Sequence, residues 1–163
     1  MKINQKQHIT KKGVVKRNPG KVNSYLELQN KHKKDISNFP MIFAFSEEQL
    51  KEGLKKLGVT KDKVVSVYGG AIIRATDKDK YLAMNIRHDR EHKEMMNDKN
   101  YVYNMFKYEL ANHEYSYTLD DTDTLRSLGL TKEQVNNNLL LREQLEKAKH
   151  ITIKNERWGE NEN

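Results

Sequence analysis

From residue 39 onward the sequence predicts an α+β fold, a small antiparallel sheet packed on three or four helices. Three observations carry that expectation. Two β-rich runs, Val64-Val65-Ser66-Val67-Tyr68 and Ala71-Ile72-Ile73-Arg74, flank Gly69-Gly70, the pattern of a hairpin whose turn needs positive φ. Ser46-Glu47-Glu48-Gln49 and Thr131-Lys132-Glu133-Gln134 both have capping-box spacing, which marks helix starts. Between them, apolar residues recur at helical spacing over long stretches.

Taken in order, Met41-Ile42-Phe43-Ala44-Phe45 is a short aromatic-rich run bounded by Pro40 and reads as a buried strand. Ser46 caps a helix carrying Leu50, Leu54 and Leu57, and Gly58 ends it at the C′ position. The Gly69-Gly70 hairpin follows. Thr76-Asp77 opens a long helix to about Asn97, with Tyr81, Met84 (or Leu82), His88 and Met95 on its inner side. The next helix, about Lys99 to Asn112, places Tyr101, Val102, Met105, Phe106, Tyr108 and Leu110 around most of its circumference, so it is expected to be the central, most buried one. Tyr115-Ser116-Tyr117-Thr118 reads as a short strand, and Asp120 to Asp123 cap a short helix ending at Leu128-Gly129. Thr131 starts a helix to about Lys149, Ile151-Thr152-Ile153 reads as an edge strand, and residues 155–163 are expected to fray.

A chain of 163 residues suits one domain with a tail, and a core of that size needs no staples. It has no Cys, which excludes disulfides, thiol catalysis and cysteine-ligated zinc. No apolar run approaches the ~20 residues of a membrane span. The first residues lack an apolar signal-peptide core, so a soluble intracellular protein is expected.

The formal charge of +7 is unevenly placed. Residues 1–40 hold ten Lys/Arg against Glu27 and Asp35, while the rest is close to neutral. Few apolar residues accompany those charges, so residues 1–38 are expected to form a flexible basic arm before a single domain over residues 39–154. Lysines and arginines gain affinity for nucleic acid by displacing counterions, which makes Lys11, Lys12, Lys16, Arg17 and Lys21 the candidate nucleic-acid contacts. A solvated, solubilising tail is the competing reading.

Catalytic signals are sparse. His88-Asp89-Arg90-Glu91-His92 fits H-x-x-E-H, in which two histidines one helical turn apart can share a zinc ion with Glu91 as base. His113 or Glu114 would then have to supply a third ligand. Such a match arises easily in a Lys/Glu/His-rich helix, where ordinary side-chain pairs explain it better. His113 among Glu109, Glu114, Tyr108 and Tyr115 has the makings of a general base, but the better reading is structural, with Asn112 capping the helix C-terminus and His113 and the tyrosines hydrogen-bonding at the edge of the core. Asp120, Asp121 and Asp123 could ligate Mg²⁺ but suit helix capping. No phosphate-binding loop or nucleophile elbow is present, so no cofactor and no enzymatic activity are expected.

Phe43-Ala44-Phe45-Ser46-Glu47-Glu48-Gln49-Leu50-Lys51-Glu52-Gly53-Leu54, Tyr68-Gly69-Gly70, Met105-Phe106-Lys107-Tyr108-Glu109-Leu110-Ala111-Asn112-His113-Glu114-Tyr115 and Asp120-Asp121-Thr122-Asp123-Thr124-Leu125 carry a resemblance. Over roughly residues 39–148 the chain resembles small, largely uncharacterised proteins of phages and mobile elements of gut Firmicutes and Bacteroidetes. The resemblance implies interference with host defence in a bacterial cytoplasm, above all inhibition of a Cas9-type CRISPR nuclease. The implied partners are that effector nuclease, its guide RNA or its target DNA. A nucleic-acid-binding accessory protein of a mobile element is the alternative, and a zinc-dependent hydrolase the remotest. The resemblance brings no catalytic residue with it, and the basic arm lies outside it.

Overall fold

The computed structural model describes residues 23–159, with side chains to residue 154. Its architecture is α+β, mostly helical with one three-stranded antiparallel sheet. In chain order the elements are α1 (Ser24–Asn38), β1 (Met41–Ile42), α2 (Glu47–Leu57), β2 (Val64–Ser66), β3 (Ile72–Arg74), α3 (Lys78–Met95), α4 (Lys99–Asn112), α5 (Tyr115–Thr118), α6 (Thr122–Ser127), α7 (Lys132–Asn136) and α8 (Leu139–Gly159).

Helix α4 is the hub, as its all-round apolar pattern predicts. Asp98 caps it by accepting from the Asn100 and Tyr101 N–H groups, and Tyr101, Val102, Met105, Phe106 and Leu110 are fully enclosed. The long α8 packs along it with Leu141, Leu145 and Ala148, while Leu125 of α6 and Val135 of α7 close the sides. The helix expected from Thr131 to about Lys149 is divided in two. Thr131 and Gln134 form the predicted capping box for α7, but Asn138 then accepts from the Leu141 N–H and starts a new helix. An asparagine side chain bonds the free N–H groups of a helix start better than it serves a helix interior.

Two strand expectations are corrected. Tyr115–Thr118 is one helical turn, entered and left through the left-handed residues Glu114 and Leu119, which buries Tyr115 in the core. Ile151-Thr152-Ile153 continues α8: Thr152 is buried one turn beyond Ala148 and its hydroxyl donates to the Ala148 carbonyl at 2.9 Å. Burial along α4 outweighs the β preference of three β-branched residues.

The expected extent of the arm, residues 1–38, is corrected for residues 24–38, which form helix α1; residues 1–22 lie outside the described residues. Asn23 caps α1 by accepting from the Leu26 N–H, and Tyr25 is buried in the core with Leu28 packed beside it. The Tyr25 hydroxyl donates to Glu109 Oε1 on α4 at 2.8 Å. Both the burial and the neighbouring carboxylate push this phenol well above its ordinary value, so it remains a donor. Tyr25 and Leu28 thus anchor in the core a helix that also carries Lys31, Lys33 and Lys34.

The sheet order is β1-β3-β2, with Ile73 fully buried at its centre and paired to Met41 on one side and Val65 on the other. The predicted hairpin is present, though its connection is longer than a two-residue turn. Val67 N–H donates to the Ala71 carbonyl at 2.8 Å, and Gly69 and Gly70 adopt φ of 80° and 76° between them. Helix α2 lies against β1 so closely that a Cβ on Gly53 would sit 2.4 Å from Ile42 Cδ1. Ser46 and Gly58 cap α2 as expected, with Gly58 left-handed at φ 69°. Among the described residues no helix is long and apolar enough to cross a membrane.

Candidate functional site

Lys11, Lys12, Lys16, Arg17 and Lys21 lie outside the described residues. The seven Lys/Arg of residues 1–22 meet no Asp or Glu there, and residues 23–163 balance to zero. The whole formal charge of +7 therefore precedes α1.

His88, Glu91 and His92 do share the inner side of α3, but each is turned to a different partner. His88 Nε2 lies 3.0 Å from Asp35 Oδ2 on α1. Glu91 bridges to α1 through Lys31 Nζ at 2.7 Å and His32 Nε2 at 2.9 Å. These bonds hold the Glu91 carboxyl down to about 2, far below its usual value. His92 Nδ1 faces the Tyr101 hydroxyl of α4 at 2.7 Å. Among the described residues no group of three His, Asp or Glu side chains is arranged to hold a metal ion. Of the suggested third ligands, His113 Nε2 faces Glu109 instead, at 3.7 Å, next to Ser127 and Asn112. The motif ties three helices together, and His32, the residue that completes it, comes from 56 positions before His88 and left no local signal.

The aspartates are likewise structural. Asp120 accepts from the Thr122 N–H and hydroxyl at the start of α6, bonds that lower its carboxyl pKa. Asp123 pairs with Arg126, and Asp121 is shared by Lys149 at 2.7 Å and Lys132 at 3.6 Å.

The feature that sequence reasoning missed is an aromatic end on the sheet. Strands β1 and β2 both run antiparallel to β3, so they point the same way, and Ile42 and Ser66 pair with the same residue, Ile72. The segments leaving them, Phe43–Phe45 and Val67–Tyr68, therefore emerge at one end. There Tyr68 is 97% exposed, Phe45 90% and Phe43 53%. The expected strand stops at Ile42, and the aromatics read as core face solvent. Their backbone is pinned. Phe45 N–H donates to Gln49 Oε1 at 2.7 Å while Ser46 Oγ accepts from the Gln49 N–H at 3.3 Å, locking the entry to α2. Tyr68 rides on the bonded Val67–Ala71 connection.

Two open hollows flank this segment. One, of about 400 Å³, is lined by Ala44, Phe45, Ser46, Glu47, Leu50 and Ile72. The other, of about 290 Å³, includes Phe43, Gln49, Glu52 and Lys56. Glu47 lines the first hollow, with Lys61 3.7 Å away, and backbone and Ser46 hydrogen bonds lower the carboxyl of the neighbouring Glu48. Large aromatics displayed in water from a hydrogen-bonded backbone contribute strongly once a partner buries them.

No curated protein and no solved structure matches the chain. A family model does match residues 24–151, from α1 into α8, and spans most of the described fold. The chain belongs to DUF7659, a family of unknown function.

Proposed function

We propose that the chain is a non-catalytic binding protein that inhibits an RNA-guided nuclease of the Cas9 type by occupying its surface. The observation that carries the binding role is the aromatic end, where Phe43, Phe45 and Tyr68 are displayed from a hydrogen-bonded scaffold. Exposed aromatics of this kind behave as interface anchors, and a pinned backbone lowers the entropy lost on association. The nuclease as target comes from the family resemblance over residues 39–148. The test is plasmid cleavage by purified nuclease and guide RNA with the protein added in excess. Cutting is expected to cease, and undiminished cutting overturns the proposal.

A second role in nucleic-acid binding is favoured by the placement of all the net charge in residues 1–22. If Lys11, Lys12, Lys16, Arg17 and Lys21 each meet a phosphate, log K falls with log salt at a slope of about −4.5 on duplex DNA. Deleting residues 1–22 is expected to flatten that slope in a DNA titration at two salt concentrations. Binding that is unchanged by the deletion, or insensitive to salt, removes those residues from the account.

A further inference from the structure

Strand β2 is an edge of the sheet: β3 lies on one side of it, and among the described residues no strand lies on the other. Its pairing fixes which backbone groups are left over. Val67 N–H donates to the Ala71 carbonyl, so Val67, and with it Val65 two residues back, turn their N–H and carbonyl groups toward β3. The Ser66 N–H and carbonyl and the Val64 carbonyl therefore point outward. Ser66 is exposed, and no hydrogen bond within the described residues reaches its backbone. Unpaired edge groups of this kind are a template for one more strand. We propose that the free edge of β2 is a strand-addition site, at which an extended acidic segment of a partner protein continues the sheet.

The charge around the edge selects the partner. Between Leu54 and Val64 stand Lys55, Lys56, Lys61 and Lys63 against one carboxylate, Asp62. Lys61 has Glu47 3.7 Å away, but among the described residues no carboxylate is paired with Lys55 or Lys63. Those two lysines line a hollow of about 440 Å³ at the start of β2, together with Leu54, Gly58, Val59 and Thr60.

The hollow adjoins the face of the sheet that α2 covers. Ile42, Ile72 and Ser66 share that face because they pair across the sheet, and Ile42 meets Gly53 of α2. Val64, two residues before Ser66, is on the same face. A partner residue placed opposite Val64 projects from this face as well, next to the apolar walls supplied by Leu54 and Val59. Carboxylates on the added strand then meet Lys55 and Lys63. Main-chain bonds supply the affinity, while the hollow and the lysines supply the selectivity. A second copy of the chain brings the same surplus of lysines to the edge, and like charges beside a short edge strand oppose self-pairing. The site is separate from the aromatic end and does not depend on the nuclease reading.

The test uses the full chain, isotope-labelled, and a capped peptide of alternating valine and glutamate about eight residues long, a common strand length. Saturable binding is expected. Exchange of the Ser66 amide with solvent is expected to slow at least about tenfold in the complex, while the Val65 amide, already bonded to β3, changes little. Ser66→Pro removes the outward N–H without touching the β3 ladder, since an edge strand accepts proline where its N–H faces solvent. It is expected to weaken the peptide about tenfold, the worth of a main-chain hydrogen bond or two. Lys55→Glu with Lys63→Glu is expected to weaken it at least as much, and a peptide of alternating valine and lysine to bind at least about tenfold less tightly. Should the proline variant not fold, Ser66 exchange in the parent and the lysine variant decide. Absence of saturable binding, or equal affinity for the lysine peptide, overturns the proposal. So does binding that leaves the Ser66 amide exchanging freely, the mark of simple charge attraction to the lysines of residues 1–22. A dimer in sedimentation that Ser66→Pro dissolves assigns the edge to a second copy and overturns it too.

Discussion

Alanine in place of Phe106 is expected to destabilise the protein by about 3–5 kcal/mol. Phe106 is fully enclosed on α4, the helix against which α1, α5, α6 and α8 all pack. Removing its ring deletes dispersion contacts to several elements at once, and a ring-sized void closes poorly when its walls belong to different helices. Since domains are stable by about 5–15 kcal/mol, the loss takes a large share of the total. Urea unfolding measures it as a lowered midpoint at unchanged slope. A change below about 1 kcal/mol, within the range of an ordinary surface substitution, would show that α4 is not the hub.

Replacing Phe45 and Tyr68 together by alanine is expected to produce the opposite pattern. The rings are almost wholly in water, so the folded protein loses little packing and its unfolding midpoint stays within about 0.5 kcal/mol of the parent. Partner binding, by contrast, is expected to weaken by at least about 2 kcal/mol, roughly thirtyfold, if the rings are interface anchors. The contrast with Phe106 separates a residue that makes the fold from residues that use it. A large stability loss in the double variant would mean that the aromatic end supports the sheet.

The parts of the fold that the sequence reveals are those in which local chemistry and tertiary packing agree. Helix α4 is apolar around its circumference because it is enclosed around its circumference, and the pattern admits one reading. The boundaries of α2 follow from Ser46 and Gly58, and the positive φ of Gly69 and Gly70 from the glycine pair itself. Where burial depends on a distant partner, the local pattern misleads. Helix α1 reads as a charged arm because its apolar anchors in the core are few, Tyr25 with Leu28 beside it, and the acceptor for Tyr25 is Glu109, 84 positions away. Ile151-Thr152-Ile153 has strand composition, yet α4 is there to bury it as a helix.

The same asymmetry applies to the candidate sites. His88, Glu91 and His92 form a metal-like motif on α3 only while α1 and α4 are ignored; Asp35, His32 and Tyr101 then divide the motif among three tasks. Phe43 and Phe45 look like core in a five-residue apolar run. Only the end of β1 at Ile42, and the exit of Tyr68 at the same end of the sheet through the shared pairing of Ile42 and Ser66 with Ile72, disclose them as a surface.

The central claim is that this member of DUF7659 acts by docking through the aromatic end of its sheet. It is tested most directly by plasmid cleavage with a Cas9-type nuclease and guide RNA, comparing the parent protein with the Phe45→Ala, Tyr68→Ala variant at equal concentration. The account predicts that the parent stops cleavage and the variant, folded to the same stability, leaves it running. Cleavage that proceeds undiminished with the parent in molar excess contradicts the proposed target, and a variant that inhibits as well as the parent contradicts the assigned surface.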